Sequence, residues 1–202
     1  MAKVGRPAKF DRDEALLKAT EVFWRHGYDG ASIAMLTAAM GINPPSLYAA
    51  FGNKEGLYRA ALASYGAREG ACPVMALETD RPARAAMADF MIGSARRFAA
   101  PGRPHGCFAV LSATVCSTEG QTARQAAAEM RTASERAFRT RLARARDEGE
   151  LPPEADPAML AAFFATFLQG LALRSADGAP GDELAGDELA GLAELAMSVW
   201  PA

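Results

Sequence analysis

The residues able to do chemistry cluster between Gly41 and Leu57, and the chemistry they offer is contact with nucleic acid. Ser46, Tyr48 and Lys54 bring two hydroxyls and a cation close together. Gly41 can adopt the positive φ of a sharp helix–turn–helix corner. Asn43 and Pro44-Pro45 then start a short helix whose outward groups are small or polar, Ser46 and Ala49, with the long hydroxyl of Tyr48 beside them. A helix this slim fits a DNA major groove. Gly52-Asn53-Lys54 opens another helix, and amides at a helix start plus a lysine make a phosphate clamp. A glycine corner alone is equally at home in a helical bundle that binds no DNA. The basic arm and the proline-started helix favour the nucleic-acid reading.

Positioning these groups requires a small helical head. Asp11 is placed to cap a first helix, with Asp13 and Glu14 in its first turn, where the dipole favours acid. Leu16, Ala19, Val22 and Phe23 recur at helical spacing, and Gly27 ends the helix. Ser32 caps a second helix with the stripe Ile33, Leu36 and Met40. The third packs Leu47 and Phe51 inward, which leaves the Tyr48 hydroxyl outside. The chain therefore divides into a flexible basic arm (1–10), a three-helix helix–turn–helix head (11–53) and a larger α-helical body (54–202). Body helices are expected over about 54–65, 84–99, 107–116, 121–148, 157–174 and 182–200, an all-α fold.

Composition agrees. Half of the 202 residues are apolar and the net charge is −2. The charge is polarised: residues 1–68 carry +3 and residues 69–202 carry −5. A positive head on an acidic body is expected when only one end touches phosphate. Lys3 and Arg6 in the arm read equally as a solubilising tail or as a reach into the minor groove. Three cysteines, Cys72, Cys107 and Cys116, show no CxxC spacing, which favours reduced thiols and a cytoplasmic location. No apolar leader follows Met1 and no uninterrupted apolar run reaches membrane length, so no membrane partner is expected. Neither a nucleophile elbow, a P-loop nor an H-E-x-x-H occurs, so neither catalysis nor a cofactor is expected.

The spacing F-x-x-x-G-Y-x-x-x-S-I followed by G-I-x-x-x-S-L-Y-x-x-F-G-x-K-E-x-L, from Phe23 to Leu57, resembles the N-terminal domain of the TetR/AcrR family of bacterial repressors. Gly106-Cys107-Phe108 and Gln169-Gly170-Leu171 are similar to elements of an AcrR-like subgroup. The resemblance implies a homodimer that binds a double-stranded DNA operator and is released by a small effector. Carried over by position, it makes Pro44, Pro45 and Ser46 base-facing, and Ser32, Tyr48 and Lys54 phosphate contacts. This chain departs from the family at Pro44 and at Ala49-Ala50, where a polar or basic residue and an aromatic or His are common. Thymine-methyl contacts and groove shape then carry more of the specificity.

Within the body, the helix from Pro157 is apolar nearly all round and must be buried, inside the body or against a second chain. The resemblance implies that the last two helices form the dimer, with Phe164, Phe167, Leu168, Leu171, Leu189 and Leu192 at the interface. Phe90, Met91, Phe98, Phe108, Leu111, Met130 and Phe163 are assigned to a pocket for a mostly apolar effector, although most such residues in a helical body are plain core. Cys107 and Cys116 read first as buried structural cysteines. A redox or soft-metal site with His105 is the alternative, with too few local donors to stand alone. The second overall reading is a small-molecule, metal or redox-sensing helical protein that does not act through DNA.

Overall fold

The structure, a computed structural model, describes residues 10–70, 77–178 and 184–201. The arm residues Lys3 and Arg6, and Cys72, lie outside the described residues. The helices are α1 (Arg12–Gly30), α2 (Ile33–Met40), α3 (Pro44–Phe51), α4 (Lys54–Tyr65), α5 (Ala83–Phe98), α6 (Phe108–Leu111), α7 (Gln121–Asp147), α8 (Pro157–Asp177) and α9 (Leu184–Ala196). A π-helical turn, Gly66–Gly70, extends α4. No strand occurs among the described residues.

The head helices start where their caps stand. Asp11 accepts from the amides of Asp13 and Glu14, Ser32 from Met35, Asn43 from Ser46 and Asn53 from Gly56. Each such cap contributes about 1 kcal/mol. Gly41 closes α2 at φ 68°, giving its N–H to Ala38 and Thr37. Gly27 (φ 69°) breaks α1 as expected, although one further turn carries it to Gly30. Gly56 matters for a different reason. A Cβ there would overlap the Phe51 carbonyl oxygen, so α3 and α4 meet at a corner only glycine permits. Gly56→Ala is expected to prise that corner open and cost about 1–3 kcal/mol in urea unfolding, as overpacking does.

The head does not close its core on itself. Phe23, Leu36, Leu47 and Leu57 are fully buried together with Phe108, Ala113 and Ala123 of the body. Phe108 lies 6.0 Å from the Trp24 ring, 5.6 Å from Tyr58 and 5.5 Å from Tyr65. Tyr58, itself buried, pairs with Ser112 Oγ at 2.7 Å, and Ser112 Oγ donates to the Phe108 carbonyl at 2.6 Å. The helix expected over 107–116 is accordingly a single turn. The Ser112 carbonyl, which the next turn would need, accepts from the Tyr28 N–H at 2.6 Å instead. The chain gives up helix there to fasten body to head. Asp29 adds a second fastening, accepting from the Ser117 amide at 2.5 Å.

A second core fills the body: Phe90, Phe138, Leu142, Phe164, Leu171 and Leu189. Helix α5 has no side-chain cap of its own. Its first amide, that of Ala83, donates to Glu150 Oε2 at 2.5 Å, while Arg141 Nη2 donates to Glu150 Oε1 at 3.1 Å. Arg141 is only 3% exposed. Burial pushes the Glu150 carboxyl up, but the Ala83 and Arg141 hydrogen bonds outweigh it and hold it below the usual glutamate value. A depressed folded-state value gives stability that is present above the ordinary glutamate range and lost as the pH falls through the lowered value. Glu150→Ala is expected to cost about 1–3 kcal/mol at neutral pH, since Arg141 is left buried without it. The gap from wild type, followed by urea unfolding, should narrow under acid.

Helix α8 is long and apolar enough by composition to cross a membrane, with a mean hydropathy of 1.4, yet only 33% of that window is buried within the chain.

Candidate nucleic-acid interface and ligand cavity

The reading helix α3 is held by its inner side chains. Leu47 and Phe51 are buried, while Tyr48 is 48% exposed. Pro44, Pro45 and Ala49 are exposed and Ser46 is half-buried. Pro44 and Pro45 have no N–H, and the Ser46 amide is occupied by Asn43 Oδ1 at 2.9 Å. The start of α3 therefore presents side chains, not the usual sheaf of amides, to whatever it meets. Its chemistry rests on the hydroxyls of Ser46 and Tyr48 and on the apolar faces of the two prolines.

Phosphate-type contacts flank it. Ser32 is exposed, and its Oγ accepts from Met35 at 3.1 Å, which leaves its hydroxyl proton to donate. Lys54 stands at the start of α4, its Nζ 3.4 Å from the Asp29 carbonyl and 4.6 Å from the centre of the Tyr28 ring. Burial pulls its ammonium down from the ordinary lysine value, opposed by the charge of Asp29. Ser32, Ser46, Tyr48 and Lys54 thus sit on or beside the two helices of the corner.

The body holds a cavity of about 130 Å3. Phe90, Phe98 and Met130 line it, as expected from sequence. Met91 and Phe108 are fully buried in the two cores and do not line it, nor do Leu111 and Phe163. Leu168, assigned to the dimer interface, lines the cavity. Sequence reasoning missed the polar wall: Glu69, Ser94, Arg97, Arg103, Arg131 and Ser134. The one available signal was Arg103 in the Pro101–Pro104 break.

Three further interface residues turn inward. Phe164, Leu171 and Leu189 are at most 3% exposed within a single chain, because α5 and α7 cover that side of α8 and α9. Phe167 and Leu192 are half-buried. Outward apolar groups are instead Met159, Leu173 and Leu195, at 68%, 54% and 66% exposure.

The cysteines part company. Cys107 lines the cavity and accepts from the Tyr65 hydroxyl at 3.5 Å. Cys116 packs against Gly120 and Asp29, where burial, and then the Asp29 charge, push its thiol up. The His105 carbonyl accepts from Trp24 Nε1 at 3.1 Å. Among the described residues no cluster of three His, Cys, Asp or Glu side chains could hold a metal ion, so the metal reading of His105, Cys107 and Cys116 finds no support.

A glycine-cornered pair of short helices, carried on a helical body, is the architecture of a helix–turn–helix regulator. Comparison with known proteins makes the class specific. The family model "Bacterial regulatory proteins, tetR family" matches residues 15–61, and "Tetracyclin repressor-like, C-terminal domain" matches residues 83–179. The HTH-type transcriptional repressor ComR of Escherichia coli K12 is 35% identical over 198 residues, 98% of this chain and 92% of that one. BdcR, another such repressor of the same strain, is 39% identical over 103 residues, 51% and 52% of the two chains. A cysteine mutant of the TetR family regulator CifR, solved with a 26-bp operator DNA, superposes with a TM-score of 0.90 at 42% identity, covering 97% of this chain and 100% of that one. The chain belongs to the TetR family of bacterial regulatory proteins, and it is a transcriptional repressor of that type.

Proposed function

We propose that the protein is a homodimeric repressor that grips a palindromic double-stranded DNA operator and lets go when a small effector fills the body cavity. Pro44, Pro45 and Ser46 face bases, Ser32, Tyr48 and Lys54 hold phosphates, and Lys3 and Arg6 of the arm reach the minor groove. The observation that carries this reading is the exposed slim helix α3 joined through one aromatic core to the body. One such helix reads few base pairs, and a two-fold pair reads a palindrome. Helix α8 supports the pairing, since only 33% of its apolar window is buried within one chain, and Met159 and Leu173 stand exposed on it. Met159, Phe167, Leu173, Leu192 and Leu195 supply the apolar face for a second copy, in a protein that acts in the bacterial cytoplasm. Effector binding shifts α4, and with it the spacing of the two heads, as a population shift between two arrangements.

The test is a gel shift of the full-length protein on its own upstream intergenic DNA, beside Tyr48→Ala. The reading expects one shifted species containing two chains, and at least about ten-fold weaker binding by the variant. Equal binding by the variant would move the interface away from α3.

Cys107 favours a second reading of the release step. Its thiol lines the cavity and accepts from the Tyr65 hydroxyl, so an effector with an activated double bond is captured there by addition: the S–C bond forms as the π bond breaks, and the thiol proton ends on the neighbouring carbon. That reading expects a mass increase on Cys107 that Cys107→Ser abolishes. An effector that releases DNA equally well from Cys107→Ser rules it out.

A further inference from the structure

Resting on the reading of this cavity as the effector site, we propose that it takes a small amphipathic anion, a carboxylate on an apolar body, whose charged end binds Arg103 by displacing Glu69. The apolar part of the wall is Phe90, Phe98, Phe138 and Leu168. The polar part sets two guanidiniums, Arg103 and Arg131, against the carboxylate of Glu69. Charges this sheltered demand counter-charge, and a neutral or cationic ligand would leave that excess unmatched.

Arg103 is built to exchange its partner. Its Nη1 lies 2.9 Å from Glu69 Oε2, with the two side chains 22% and 27% exposed. Its Nε is buried without a hydrogen-bond partner. The resident pair therefore uses one edge donor and leaves another unmet. A ligand carboxylate that bridges Nε and a terminal nitrogen makes two parallel bonds in place of one. The guanidinium also stacks 5.0 Å from the centre of the Trp24 ring on α1, and Trp24 Nε1 fastens the same loop through the His105 carbonyl. Glu69 sits in the π turn that ends α4. Arg103 thus ties the end of α4 to α1 of the head, and an anion that takes Glu69's place unties it. Ligand charge and head movement are linked through one side chain.

The experiment is calorimetric titration of the full-length protein with paired probes: 3-phenylpropanoate against 3-phenylpropanamide, and octanoate against octanamide. At least one carboxylate is expected to bind roughly ten-fold tighter than its amide. Arg103→Gln should bring the pair within about two-fold while leaving amide binding in place, which also shows that the cavity is intact. Glu69→Gln should tighten carboxylate binding several-fold, because the competitor is gone, with the amide unmoved. No carboxylate preference in wild type, or a preference that survives Arg103→Gln, overturns the proposal. So does weaker carboxylate binding by Glu69→Gln. The gel shift on upstream DNA separates this from the repressor reading. Carboxylate preference without DNA binding would sink the repressor alone, and DNA binding without the preference would sink only the ligand class.

Discussion

A Leu173→Glu, Leu195→Glu double variant is expected to be monomeric and to bind operator at least about 100-fold more weakly than wild type. Both leucines are more than half exposed in a single chain, on the two C-terminal helices. If those helices meet their two-fold mates, each substitution acts twice, because an isologous interface brings the same patch to both sides. Buried like charges then oppose association, while a monomer loses little. The loss of affinity follows from geometry alone. A second head joined to the first binds its half-site as an intramolecular event, and separating the heads removes that advantage. Sedimentation reads the mass and a gel shift reads the affinity. A variant that stays dimeric would move the interface off this face. Phe164→Ala serves as the contrast: its ring is fully buried within the chain, so it should lower monomer stability whatever the interface does.

The second large effect concerns the joint between head and body. Phe108→Ala is expected to cost about 3–5 kcal/mol in urea unfolding, as a fully buried phenylalanine does when truncated. The ring stands among Trp24, Tyr58 and Tyr65, so its removal strips packing from α1 and α4 together. Because Phe108 carries the body into the core of the head, the variant is also expected to unfold in two steps where wild type unfolds in one. A cost under about 1 kcal/mol, with a single unchanged transition, would mean that the joint does not hold the two parts together.

The head was legible because its signals are local. Asp11, Ser32, Asn43 and Asn53 each cap the helix they precede, and Gly41 takes the left-handed corner its position demanded. Leu47 and Phe51 defined the inner face of α3, which placed Tyr48 outside. What escaped depends on packing between distant segments. Phe108 looked like any apolar residue near a pocket, and only the fold shows it inserted between head helices. The Ser112 carbonyl was diverted by Tyr28, a partner far away in sequence that no periodicity reports. Phe164, Leu171 and Leu189 lie on helices apolar on several faces, where spacing cannot say which face meets the chain's own core. Arginines in a cavity wall look in sequence like a solvated face, so Arg97 and Arg131 gave no sign of their neighbours.

The repressor reading depends on the head holding phosphate through the residues at its corner. The most direct measurement is the salt dependence of operator affinity for wild type and Lys54→Ala, plotted as log K against log salt. The account predicts a steep linear fall for wild type, and a slope shallower by about one for Lys54→Ala, as when one phosphate contact is lost. A flat wild-type line, or a variant line of unchanged slope, would contradict it.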